Sequence, residues 1–438
     1  MLLVSCLTAL LAAPSVTTAL SAGLQAPAVT PFVEILGRAD NRTHFDSSAA
    51  ESPGKRDVQA GGLCGTSGGQ AVCAAGLCCS ETGICGSDSA SCIAPGCQLS
   101  FGPKCDGNKS PSGKDTSSIP RPPIGELPYG VELRHCRTSG TVALTFDDGP
   151  YIYTTEALDI LKRNGVKATF FIVGANGGKG QINDPASGYA PIVKRMWDEG
   201  HQVASHTWSH QDMTTLTKQQ RREQIIKNEI AIASILGVVP TYFRPPYSNL
   251  NADVLSDLKA LGYHVTNYDV DTRDWEGSPA YSRSTYLSAL SSRNPASSAF
   301  LCIAHDIHER TVRGGLIQYM IDEARRLNYK LVTIGECMGD PKGNWYRDAT
   351  TGQAYDLAKR PPKSPSSAQD SSQDKDSSQD KGSSQDNKGP AAGTVGHAST
   401  GATPKASVAT GFRFGPSGCN GWGAGLYVVL FSVFFLKI

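Results

Sequence analysis

Thr141 to Pro150 reads TVALTFDDGP. Its first six residues are apolar or β-branched and predict a buried strand, and two carboxylates stand where that strand ends. The same grammar repeats on either side. Thr154 to Asn164 has helix periodicity and stops at Gly165, and KATFFIV (167–173) is a second strand run. Further short apolar runs occur at QVAS (202–205), YFR (242–244), HVTNYDV (264–270), AFLCIAHD (299–306) and KLVTI (330–334). Helices fall between them, one ending at Gly237 and another over about 313–327. Short apolar strands alternating with helices predict an α/β fold built on a parallel sheet or barrel.

The chain has 438 residues, with 41 Lys+Arg against 40 Asp+Glu. That balance offers no basic face to displace counterions from phosphates, so nucleic acid is excluded as a partner. Eight of the 13 cysteines lie between Cys64 and Cys105, a density that requires a disulfide framework or a metal site. The chain ends choose between these. Residues 1–19, apolar from Leu2 to Ala13 and ending in the small-residue pattern Thr17-Thr18-Ala19, read as a signal peptide. Leu426 to Leu436 is an apolar run of 11 residues, shorter than a membrane span. With the small residues just before it, 418–438 reads as a GPI-attachment signal, with Ser417 or Gly418 as the attachment residue. A single terminal membrane helix or a packed strand is the alternative. Secretion turns the cysteine cluster towards disulfides.

The remaining divisions follow composition. Residues 20–60 form a propeptide or flexible segment, in which Lys55-Arg56 is a dibasic processing site or an ordinary charged loop. Asn41 and Asn108 head glycosylation sequons. Residues 61–105 are the cysteine module, 106–135 a Pro-, Ser- and Gly-rich linker, 136–340 the α/β domain and 341–357 an extension. From 358 to 417 the chain reads as a disordered stalk, because the SSQD-type repeats of Ser366–Lys388 contain no aromatic or β-branched residue with which to offset ordering entropy.

Four polar clusters sit just after strand runs, where an α/β barrel carries its active-site loops. Asp147 and Asp148 would repel unless they divide the work, one binding a metal and the other acting as base. Taken alone they are equally a solvated acidic turn. His206 and His210 in SHTWSH are spaced i, i+4, which on a helical turn lets two imidazoles share one Zn²⁺, although such a pair is commonly a surface coincidence. Asp148 with these two would leave coordination positions open for water and substrate. Arg244-Pro245-Pro246-Tyr247 is a rigid turn that aims an Arg and a backbone N–H. Asp271, Asp274 and Trp275 in DVDTRDW precede His305 in IAHD, and a carboxylate holding His305 would raise its pKa and keep it a competent acid.

TFDDGP, SHTWSH, RPPY, DTRDW and IAHD, in this order, resemble the five motifs of the polysaccharide deacetylase (NodB homology) family over roughly Cys136 to Asp340. The resemblance implies a distorted (β/α) barrel and metal-dependent removal of acetyl groups from N-acetylglucosamine units. By the same resemblance Asp147 is the general base, and Asp148, His206 and His210 bind one divalent metal, Zn²⁺ or Co²⁺. Arg244 orients the base, and the Tyr247 backbone N–H helps to hold the oxyanion. His305 is the general acid, held by Asp271 or Asp274, while Trp275 belongs to the substrate-binding set. Ile303 stands where the family usually has Leu. The resemblance also implies a Cys136–Cys337 bridge and a free core thiol at Cys302.

The spacing of Cys64, Cys73, Cys78, Cys79, Cys85, Cys92, Cys97 and Cys105 resembles a hevein-like chitin-binding module with four bridges. Thr82, Ile84 and Ser91 stand where that family carries sugar-stacking aromatics; Phe101 is the module's single aromatic, and Ser80 remains as an expected polar contact. The implied partner is chitin or its oligomers, met by a monomer that reaches the membrane through its GPI anchor. Two other readings stay open: a non-catalytic wall protein with the barrel as scaffold, and a deacetylase of peptidoglycan or acetylxylan.

Overall fold

The computed structural model describes residues 57–359. The signal peptide, Asn41, Lys55-Arg56, nearly all of the 358–417 stalk, and the GPI signal with Ser417 or Gly418 lie outside the described residues.

The quoted run forms the central strand of a nine-stranded parallel sheet. In chain order its strands are β1 (Glu132–Leu133), β2 (Thr141–Asp147), β3 (Thr169–Ile172), β4 (Gln202–Ser205), β5 (Tyr242–Phe243), β6 (His264–Thr266), β7 (Val270–Asp271), β8 (Phe300–His305) and β9 (Lys330–Val332). The spatial order is β7-β8-β2-β3-β4-β5-β6-β1, with β9 paired to the first half of β2. All seven residues of β2 are buried, as expected of a strand covered on both faces. The outer layer comprises α1 (Thr154–Arg163), α2 (Ala190–Asp198), α3 (Lys218–Leu236), α4 (Ala252–Ala260), α5 (Pro279–Ser291) and α6 (Leu316–Arg326). Ala157, Leu158 and Leu161 line one face of α1 and are fully buried. A capping box between Thr217 and Gln220 starts α3, and Gly237 in the left-handed region (φ 73°) ends it.

Three expectations change. HVTNYDV is not one strand: 264–266 pairs with β5 and β1, whereas 270–271 pairs with β8 at the opposite edge. Residues 267–269 carry the chain across the gap, so chain continuity brings the two ends of the sheet together. The 106–135 segment is no linker. Thr116, Ile119, Ile124 and Leu127 in it are buried, and Arg121 forms a 2.7 Å ion pair with Glu229 of α3, which also accepts hydrogen bonds from Thr116 and Tyr263. The 341–357 extension belongs to the barrel as well, since Tyr346–Asp348 pairs with Val238–Pro240 and the Tyr346 hydroxyl bonds to Val203 N.

The cysteines pair as Cys64–Cys79, Cys73–Cys85, Cys78–Cys92, Cys97–Cys105 and Cys136–Cys337, and Cys302 is a buried free thiol. The module's core is mainly its own disulfides, with Val58, Leu77 and Phe101 packed against them. Ser80 is occupied locally, its Oγ accepting from Ile84 N. Asn108 Nδ2, the atom a glycan would need, donates to Leu99 O and Gly102 O, so the side chain serves as a brace of the fold rather than a free acceptor.

Candidate active site

Register brings the candidate residues together. In the β8–β2 pairing His305 lies opposite Asp147, so two residues 158 positions apart become neighbours at the C-terminal edge of the sheet. Asp271 lies opposite Ile303 on the next strand, and β4 and β5 end at Ser205 and Phe243, just before His206 and Arg244. A cavity of about 450 Å³ opens there, lined among others by Asp147, Asp148, His206, His210, Tyr247, Trp275 and His305.

Arg244 is fully buried and each of its guanidinium nitrogens is occupied. Nη1 donates to Asp147 Oδ1 and to Thr145 Oγ1, both at 2.7 Å, Nη2 donates to Asn267 O and Nε to Thr266 O. The group also lies 4.1 Å from the centre of the Phe171 ring. One carboxylate oxygen of Asp147 is therefore fixed by a charge-assisted bond, while Oδ2 faces His206 Nε2 at 3.8 Å. Thr145 was not singled out from the sequence, although the two-residue period of a strand puts it on the same face as Asp147.

Asp148 turns out of the strand with a positive φ of 74°, in the left-handed region that Asp tolerates better than most residues. Its Oδ1 lies 3.0 Å from His210 Nε2 and 3.4 Å from His206 Nε2, yet it is buried without a well-formed hydrogen bond. Burial opposes its ionisation, but the His210 and His206 imidazoles beside it win and hold the carboxyl well below the usual range. The ligand atoms of these three residues lie within 4.8 Å of one another.

His206 and His210 do not sit on a helical turn. Residues 206–210 form an irregular loop with positive φ at Thr207 (71°) and His210 (57°). The loop is pinned by Trp208, wholly buried against Gly174, where even a methyl group would come within 2.1 Å of the indole. Gln224 of α3 holds Ser209 by its backbone and hydroxyl. His206 Nδ1 is 2.6 Å from Arg244 O, a carbonyl to which it must donate, and the ring so held turns Nε2 towards Asp148.

Of the two candidates for holding His305, the geometry selects Asp274. Its Oδ1 is 2.7 Å from His305 Nδ1, and its Oδ2 accepts from His305 N and Thr311 Oγ1. Burial works against the charged imidazole, but Asp274 outweighs it and raises His305 to about 10. Asp271 accepts instead from Arg273 N and stays on the cavity wall, its carboxyl raised by burial. Tyr247 and Trp275 are the cavity's exposed aromatics, at 55% and 52%, and Tyr247 takes a positive φ of 57° in the turn after Pro245-Pro246.

Two further neighbours complete the site, Asp306 from the IAHD motif and Lys179, which carried no sequence signal. Lys179, on the loop after β3, donates from Nζ to Asp148 O and Gly149 O at 3.2 and 3.4 Å, and burial lowers it to about 7 against the pull of Asp148 and Asp306. Asp306 is wholly buried, accepts from Thr154 Oγ1, and is raised by burial to about 7.

The family sequence profile of "Polysaccharide deacetylase" matches residues 134–266. A chitin deacetylase of Pestalotiopsis sp is 43% identical over 238 residues, 54% of this chain and 76% of that protein. A probable peptidoglycan-N-acetylglucosamine deacetylase of Arthroderma benhamiae is 41% identical over 229 residues, 52% of this chain and 51% of that protein. Among solved structures, the chitin deacetylase of the fungal pathogen Colletotrichum lindemuthianum is 38% identical, with 51% of this chain and 97% of that one covered and a TM-score of 0.48.

Proposed function

The chain belongs to the polysaccharide deacetylase family, and from that membership we propose that it hydrolyses the acetamide of N-acetylglucosamine units in chitin, at the cell wall, to acetate and glucosamine units. The observation that carries the reading is the pair Asp147 and His305, neighbours in register at the mouth of one cavity. Each is tied down on its far side, Asp147 Oδ1 by Arg244 and His305 Nδ1 by Asp274. Asp147 Oδ2 and His305 Nε2 are then the atoms available for proton transfer.

A divalent ion, Zn²⁺ or Co²⁺, fits the donor set Asp148, His206 and His210, because Asp148 Oδ1 is buried without a hydrogen bond and His206, held at Nδ1 by Arg244 O, turns Nε2 towards it. Bound there, it would polarise the amide carbonyl and acidify water. Asp147 Oδ2 takes the proton of the attacking water as the C–O bond forms. The Tyr247 backbone N–H holds the oxyanion, and Trp275 offers a face to the sugar. His305 Nε2 then gives its proton to the nitrogen as the C–N bond breaks. An imidazole raised to about 10 carries that proton at neutral pH. Five disulfides agree with work in an oxidising, extracellular setting, where a monomer would suffice because the whole site comes from one chain.

The test is acetate release from chitin oligomers, peptidoglycan and acetylxylan, with and without chelator. Chitin oligomers should be the best substrates, with activity lost to chelator and restored by Zn²⁺ or Co²⁺. His206→Ala should lose its metal as measured by elemental analysis. A Zn²⁺-loaded chain that releases nothing from chitin oligomers would overturn the reading, and faster release from peptidoglycan would favour the substrate named for the Arthroderma relative.

A further inference from the structure

The cysteine module is docked on the barrel rather than tethered to it. Gln211, next to the candidate ligand His210, donates from Nε2 to Pro95 O at 3.0 Å and to Cys97 O at 3.3 Å. Gly177 N donates to Ala94 O and Gln220 Nε2 to Ser100 Oγ at 2.7 Å, and just past the module Lys227 Nζ donates to Asn108 O at 3.0 Å. Just past the module, Gly107 approaches the histidine loop so closely that a methyl group there would lie 2.7 Å from Ser209 Oγ. These contacts fix the module's orientation relative to the loop that carries both histidines.

A wide-open surface recess of about 420 Å³ lies at this junction, lined by Pro95 from the module and by Gln211, Asp212, Thr215, Tyr247 and Asn249 from the barrel. Tyr247 lines the catalytic cavity too, so the two spaces adjoin across its exposed ring. We propose that this junction is a second sugar subsite, which takes a unit of the same polymer next to the one whose acetamide lies in the catalytic cavity. The inference rests on the deacetylase reading above and adds the module to its substrate path.

The lining has the chemistry for it. Pro95 and the Tyr247 ring give apolar surface for the C–H face of a pyranose. Gln211 spends its amide nitrogen on the module, Asn249 Nδ2 donates to Asp212 Oδ2, and among the described residues no donor serves Gln211 Oε1 or Asn249 Oδ1. Those two acceptors suit sugar hydroxyls, which bring donors. The arrangement also accounts for a module without exposed aromatics. Its half-buried Phe101 packs on the disulfides, and the ring that would meet the sugar comes from the barrel.

The experiment uses the full chain and two changes: Thr215→Trp, which obstructs the recess, and Asn249→Ala, which removes an acceptor without adding bulk or touching the module's bonds to the barrel. Acetate release is measured on the pentamer and the dimer of N-acetylglucosamine. The ratio of kcat/KM, pentamer over dimer, should fall about ten-fold in both, through KM of the pentamer. A ratio unchanged in both variants, or an equal loss on both oligomers, overturns the subsite. Calorimetric titration of the two oligomers into Asp147→Asn, with and without each change, separates the two claims. If the wild-type chain releases no acetate, the deacetylase reading falls. The subsite then stands only if the pentamer binds more tightly than the dimer and Thr215→Trp removes that advantage.

Discussion

The cysteine module and the barrel solve the same problem, order in a short stretch of chain, by opposite means. The module links 42 residues with four disulfides and buries little apolar surface beyond the cysteines themselves. The barrel has an extensive apolar core and can therefore afford buried polar side chains, among them Arg244, Asp147, Asp274 and Glu229. In the barrel those groups are aimed at a cavity or at each other. In and just after the module they are consumed locally, Ser80 on the backbone, and past its last cysteine Asn108 on the backbone and Asp106 on Ala94 N. A small disulfide scaffold has few polar groups left over, so what this module contributes depends on where it is docked.

The change that tests the barrel's side most sharply is Asp147→Asn. It should lower kcat for acetate release by about 10²–10⁴-fold while the bound metal, counted by elemental analysis, stays near one per chain. Near-normal turnover would exclude Asp147 as the base. The next largest effect concerns stability. Arg121→Ala leaves the buried Glu229 carboxylate without its ion pair and should cost about 3–5 kcal/mol in urea unfolding. A loss below about 1 kcal/mol, typical of surface pairs, would return the 106–135 segment to the status of a linker.

On the module's side, Cys73→Ser with Cys85→Ser should cost about 2–5 kcal/mol, read as lost amide protection over 57–105 while β2 and β8 keep theirs. Equal loss in the barrel strands would show that the two regions fold as one unit. The smallest effect is on pH. His305 is raised in the folded chain, so the stabilisation from its pair with Asp274 is complete below the imidazole's ordinary 6.5 and fades as pH rises through about 10. In the proposed role of general acid it must hold its proton, so activity should fall over the same upper range. Asp274→Asn removes the main raising partner and should move the alkaline limb of kcat/KM down by at least about one pH unit. An unmoved limb would mean that another group sets it.

Much of the site was legible because motif residues cluster at strand ends, and strand ends are visible as apolar runs that stop. Asp147, Asp148, Arg244 and His305 all follow such runs, and the structure brings Asp147, Asp148 and His305 to one cavity with Arg244 buried behind Asp147. The histidine pair had the right residues on the wrong scaffold. Spacing alone cannot separate a helical turn from a loop pinned by a buried Trp208. The choice between Asp271 and Asp274 was open for a similar reason, since three residues of separation say nothing about which carboxylate turns under the His305 ring. Lys179 and Glu229 gave no signal, because their partners are 30 or more positions away and ordinary in composition.

Local sequence thus determined the strand and helix alternation, the disulfide-rich character of the N-terminal module, and the identity of the candidate site residues. These are properties of short windows, set by periodicity, side-chain type and pKa range. Tertiary structure decided which oxygen of Asp147 is held by Arg244 and which faces His206, which carboxylate raises His305, the split of 264–271 between two edges of the sheet, and the seat of the module beside Tyr247. Each of these depends on register between strands distant in the chain, and a one-residue shift there would turn every side chain to the other face.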